Sequence, residues 1–121
     1  QERLARNVRL ADKSSLVRRD PLVIEDDQSF PVEHFAVPHH YKDSVSEILI
    51  PRGLVLDRIQ KLAKDIREDY SGETIHLVCV LKGGSAYFHD LITALRRHHD
   101  YNDLLYPPFT YDFIRVRENK T

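Results

Sequence analysis

The residue pattern predicts an α/β domain built on a parallel sheet, and three observations carry that prediction. The run Ile75–Leu81 is almost continuously apolar and β-branched, as a parallel strand covered on both faces is. Leu54, Val55, Ile59, Leu62, Ala63, Ile66 and Tyr70 recur around one face of a helix, with Arg58, Lys61, Lys64, Asp65, Arg67 and Glu68 on the other. Between Leu81 and an amphipathic run that begins near Ala86 lies Lys82-Gly83-Gly84-Ser85, a glycine turn from strand to helix. Together with strands before and after, the order is strand, helix, strand, helix, strand. That order belongs to a right-handed parallel sheet with helices on both faces. Three layers are implied but incompletely supplied by the roughly 100 ordered residues available.

Taken in order, the chain starts with a basic arm. Residues 1–20 hold Arg3, Arg6, Arg9, Lys13, Arg18 and Arg19 against Glu2, Asp12 and Asp20, whereas the whole chain has a net charge of −1. Leu4, Val8 and Ala11 give a weak helical spacing with little else to bury. A disordered arm is expected over residues 1–21, ahead of one domain over 22–121. Glu2 and Asp12 speak against a transit peptide.

Leu22-Val23-Ile24 is a β-prone triplet, expected as an edge strand. Pro31 and Pro38 bracket Phe35-Ala36-Val37 and hold it extended. His39 and His40 are adjacent, so they share no face on a helix or a strand and cannot chelate one metal as a pair. Val45 to Ile50 alternates, which predicts a strand with at least one buried face ending at Pro51. Gly53 opens the first helix and Ser71-Gly72 closes it, with glycine as a left-handed stop. Ile75–Leu81 should be the central strand. The second helix runs to about His98, and Arg96, Arg97, His98 and His99 near its negative end are explained by the helix dipole. His89 and Asp90 lie on different helix faces, so a catalytic pair is not expected there. Residues 100–108 form a polar loop, and Phe109, Tyr111, Phe113 and Val116 mark the last strand.

The composition is that of an ordinary globular chain, at 121 residues, 41% hydrophobic and 31% charged. No run approaches the roughly 18 apolar residues of a membrane span, and no secretory signal is visible, so a cytosolic protein is expected. The near-zero net charge gives no reason to expect nucleic acid or an acidic membrane as a partner. The single cysteine, Cys79, lies in the most apolar run and reads as a core residue, which leaves no disulfide framework or zinc cluster.

Chemistry concentrates at the turn. Two glycines let a backbone adopt positive φ and come close to a ligand, and the first amides of the next helix are unpaired donors that favour an anion. A plain strand-to-helix turn fits the same spacing.

Four blocks in order are more specific. Phe35-Ala36-Val37-Pro38-His39-His40-Tyr41, Ile50-Pro51-Arg52-Gly53-Leu54-Val55-Leu56-Asp57-Arg58, Val78-Cys79-Val80-Leu81-Lys82-Gly83-Gly84 and Tyr111-Asp112-Phe113-Ile114-Arg115 together resemble the hypoxanthine-guanine phosphoribosyltransferases. The likeness runs from about Leu22 to Arg117 and covers the N-terminal half of such an enzyme. It implies an incomplete three-layer phosphoribosyltransferase fold. It also implies magnesium-dependent transfer of ribose 5-phosphate from phosphoribosyl pyrophosphate to hypoxanthine or guanine. By resemblance, Leu81, Lys82, Gly83 and Gly84 form the pyrophosphate loop, with a cis Leu81–Lys82 peptide. Lys82 doubles as a subunit contact in oligomers, and Arg115 and Arg117 lie near the mobile lid.

Departures accompany the match. Where the family has a lysine and a serine-tyrosine pair on its lid, this chain reads Arg117, Glu118 and Asn119. The paired-acid segment for the ribose 5-phosphate and the later base-reading and metal-binding residues are expected to be missing. No catalytic residue and no protein ligand for magnesium is therefore assigned. Three readings follow: a truncated family member inactive alone, a non-catalytic protein that associates with full-length subunits, and an unrelated anion-binding module.

Overall fold

The computed structural model describes residues 18–101 and 108–117. Residues 1–17, which include most of the expected basic arm, lie outside the described residues, as do 102–107 of the polar loop and the lid positions Glu118 and Asn119. What is described is a mixed α/β unit with two helices and two small sheets. Phe30–Pro31 (β1) pairs antiparallel with Glu47–Ile48 (β2). The helix Arg52–Asp69 (α1) follows, then His76–Leu81 (β3), the helix Ser85–Arg97 (α2) and Thr110–Arg115 (β4).

Helix α1 begins directly after Pro51, whose carbonyl accepts from the amides of Leu54 and Val55 at 3.0 and 3.3 Å. Its apolar stripe buries Ile59 and Ala63. It ends at Tyr70, whose amide donates to the Ile66 carbonyl at 3.0 Å, and Gly72 then takes φ 79°. That is the left-handed stop its sequence position predicts. Helix α2 buries Phe88, Leu91, Ile92, Ala94 and Leu95. Ala63 and Ala94 are both fully buried, and two methyl-sized side chains let the helices approach closely. Ile59, Ala63, Leu91, Ala94 and Leu95 form one cluster, and Cys79, Phe88 and Ile92 a second against the sheet. Cys79 is thus a core residue, as expected.

Polar staples reinforce the helix pair. Arg67 donates through Nε and one Nη to the Leu95 carbonyl at 3.1 and 3.0 Å. That carbonyl lies in the last turn of α2, where carbonyls lack an intrahelical partner. Burial pushes the Arg67 guanidinium below its ordinary pKa, with Tyr101 acting the other way. His98 and Gln60 meet at 3.0 Å, and the Arg96 guanidinium lies 5.2 Å from the centre of the Phe109 ring.

Strands β3 and β4 run parallel, with His76 opposite Thr110, Cys79 opposite Phe113 and Leu81 opposite Arg115. Both helices lie on the face of Leu77 and Cys79, where Phe88 meets the rings of Tyr111 and Phe113 edge-on. Among the described residues, nothing packs over the opposite face of the sheet. Val78, Val80 and Ile114 stand there about half exposed.

Three expectations need correction. Among the described residues Ile75–Leu81 is not covered on both faces, because both helices lie on one side, and β3 has one strand partner rather than a central place. Leu22-Val23-Ile24 is irregular rather than an edge strand. The stretch 45–50 contributes only Glu47–Ile48 to a ladder, pairs with β1 instead of joining the parallel sheet, and leaves Leu49 and Ile50 more than half exposed. Alternation of side chains marks an extended segment, but it does not name the neighbour that would bury one side. Pro31 also has no amide hydrogen to extend the β1–β2 ladder.

Candidate functional site

The turn after β3 stands at the carboxyl end of the parallel pair, where open α/β sheets bind their ligands. The Leu81–Lys82 peptide is cis. Ser85 donates its amide to the Lys82 carbonyl at 3.2 Å, closing the turn, and Phe88 donates to the Gly84 carbonyl at 2.9 Å, starting α2. Residues 82–87 are exposed, and Lys82 makes no ion pair with another described residue. Arg115, at the end of β4, lies beside Leu81 in the strand register. Arg117 is exposed just beyond the strand.

One part of the sequence argument for this turn is overturned. Neither Gly83 nor Gly84 has positive φ, since Gly72 is the one glycine that does, and Gly84 lies at φ −85°, ψ −1°. Gly84 thus has right-handed angles open to any residue, and Gly83 does not need the left-handed region. Sterics inside the chain do not require glycine either. A Cβ on Gly83 would meet nothing within 4 Å, and one on Gly84 would meet the Val80 carbonyl at 3.5 Å, an ordinary contact. What two bare Cα atoms still provide is access, because a group approaching the turn from outside can reach the backbone amides.

The other candidates are dispersed. Asp90 faces Arg52 of α1 at 3.9 Å rather than acting with His89. His40 packs on Tyr41, with ring centres 4.1 Å apart. The described residues contain no group of three or more His, Cys, Asp or Glu able to hold a metal ion, and no chemical step is assigned to magnesium. No described helix is long and apolar enough to cross a membrane. Clefts occur away from the turn's loop. One of about 390 Å³ lies between Leu22, Ile24, Leu54, Leu62 and Tyr87, and reaches the first turn of α2.

Two polar clusters were not legible in the sequence. His76 shares its Nδ1 with the Thr110 hydroxyl at 2.6 Å and places Nε2 3.3 Å from Asp112, tying β3 to β4 on the open face. Arg19 contacts three carboxylates of α1. Both depend on long-range register, which local spacing does not carry.

Comparison with known proteins decides the lineage. No family model matches the chain. Over 107 residues it is 38% identical to the hypoxanthine-guanine phosphoribosyltransferase of Homo sapiens, covering 84% of this chain and 47% of that protein. It is 40% identical over 100 residues to the enzyme of Canis lupus familiaris, covering 79% and 44% respectively. The chain belongs to the hypoxanthine-guanine phosphoribosyltransferase family. A hypoxanthine-guanine-xanthine phosphoribosyltransferase of Plasmodium falciparum is 36% identical over 100 residues, covering 81% of this chain and 43% of that protein. The chain thus spans a little less than half the length of the phosphoribosyltransferases it matches.

Proposed function

We propose that this chain supplies the pyrophosphate-facing wall of a cytoplasmic purine-salvage phosphoribosyltransferase. The reaction of the whole protein is transfer of ribose 5-phosphate from phosphoribosyl pyrophosphate to hypoxanthine or guanine. The bond from C1 of the ribose to the pyrophosphate oxygen breaks with its electron pair leaving on pyrophosphate, a bond from C1 to N9 of the purine forms, and the purine gives up one ring N–H proton. Leu81, Lys82, Gly83 and Gly84 bind the departing pyrophosphate, with Arg115 and Arg117 in the vicinity. Charge building on a leaving pyrophosphate is best met by fixed amides and a cation that need no reorganisation.

The observation that carries this reading is the side-chain-free approach at Gly83, beside a lysine with no ion-pair partner among the described residues. By family the reaction takes magnesium, which would neutralise part of the phosphate charge; no described residue is assigned to hold it. The fold that goes with this reading is the incomplete three-layer parallel-sheet phosphoribosyltransferase fold, with residues 22–121 as its N-terminal part. The open face of β3 and β4 supports it, since parallel strands are normally covered on both sides.

Holding two substrates together is the largest lever of such an enzyme, and these 121 residues span less than half the length of the relatives they match, so by themselves they are expected to give no turnover. Purified chain incubated with hypoxanthine, magnesium and phosphoribosyl pyrophosphate is expected to give no inosine monophosphate. Measurable product would contradict the claim. The exposed Val78, Val80 and Ile114 favour a second reading, a non-catalytic protein that associates with full-length subunits or with itself, Lys82 serving as a contact. Co-expression with a complete family enzyme tests it, and failure to co-purify removes it.

A further inference from the structure

The segment entering the domain is tied down by one side chain. Arg19 places Nε 3.2 Å from Asp65, one Nη 3.2 Å from Glu68 and the other 2.9 Å from Asp69. Those acids occupy positions i, i+3 and i+4 of one helix face, in the last turns of α1, where like charges repel and the helix dipole is also negative. Lys61 answers Asp65 at 2.9 Å and Lys64 stands 4.0 Å from Glu68, so Asp69 depends on Arg19 more than the other two do. Hydrogen bonding to Asp69 raises the Arg19 pKa above its ordinary value, and Lys61 with Arg19 lowers that of Asp65. Just beyond Arg19 the chain runs along α1, and Pro21, Leu22 and Ile24 form one wall of the apolar cleft, with Leu54, Leu62 and Tyr87 opposite. Tyr87 follows Gly84 by three residues.

We propose that residues 18–24 are a strap latched across α1 by Arg19, and that releasing the latch opens the apolar cleft beside the first turn of α2. Residues 20–24 make no regular backbone ladder, and Leu22 and Val23 stand half-exposed or more, so the placement of the segment rests chiefly on the guanidinium at one end. The latch is ionic and solvent-accessible. It therefore weakens with salt, because at about 1 M the screening length falls to about 3 Å. This inference is independent of what the turn binds.

The test is a nitroxide label at Val23→Cys in a Cys79→Ala background, read by electron paramagnetic resonance while circular dichroism follows helix content. At low salt the parent should show a broad, immobilised component. Arg19→Ala, the pair Glu68→Gln with Asp69→Asn, and 1 M salt on the parent should each convert it to narrow lines with helix content kept. Narrow lines in the parent at low salt, or an immobilised label that survives both Arg19→Ala and salt, would overturn the latch. If Arg19→Ala loses helix, the salt series on the intact arginine decides alone.

Discussion

The two faces of β3 differ more than its composition does. On one, Leu77 and Cys79 pack under α2, with Phe88 and Ile92 above them; on the other, Val78 and Val80 of the same apolar run stand about half exposed beside Ile114. The strand's residues are apolar on both sides, yet the described chain supplies covering for one. A sequence of this kind is written for two packed faces. Its relatives carry more than half their length outside the matched stretch. The packed face explains how the chain folds, and the open face explains why a binding wall rather than a whole active site is proposed.

Substitutions can break that comparison. The largest effect is expected at Leu95, which is fully buried between the helices and the sheet. Leu95→Ala should cost about 3–5 kcal/mol by lost transfer energy and the cavity left behind, read as a fall in the urea midpoint. On the open face, Val80→Thr removes little buried area and should change stability by no more than about 0.5 kcal/mol in the chain alone. A cost at Val80 comparable with that at Leu95 would mean that the face is covered, and the contrast between the two sides of β3 would fail.

The smallest effect concerns pH. Asp65 is held below the ordinary carboxylate range by its hydrogen bond to Lys61, with Arg19 and Arg58 adding to it. A depressed folded pKa gives stability that is present above the unfolded value and is lost as pH falls through the folded one. Asp65→Asn should therefore lower the urea midpoint slightly at neutral pH, and the gap from the parent should close in acid below the ordinary carboxylate range. A gap unchanged in acid would show that the Asp65 charge contributes nothing.

How much was legible follows the range of the interactions. Both helices and the strand between them were readable, because the spacing of Ile59, Ala63 and Ile66, and of Phe88, Leu91 and Leu95, is a local record of one buried face. Gly72 was readable as a stop for the same reason. Pairing was not. Whether Ile48 sits opposite Phe30 or in a parallel sheet, and whether His76 meets Thr110 and Asp112, is decided by register between segments far apart in sequence. Arg19 read as one more charge of a disordered arm, since nothing in its neighbourhood announces three carboxylates some fifty residues later. At Lys82-Gly83-Gly84 the strand-to-helix turn was legible and the reason for its glycines was not. The expectation was a special backbone angle, and the structure leaves access to the backbone as the property that remains.

That access is the central claim, and a calorimetric titration with pyrophosphate and magnesium tests it most directly. The chain should bind weakly. Lys82→Ala should reduce affinity by about tenfold or more, as loss of a charge-assisted contact worth about 1.5–3 kcal/mol predicts. Gly83→Ala should reduce it too while leaving the urea midpoint unchanged. Equal affinity in all three chains would contradict the assignment of this turn to the pyrophosphate.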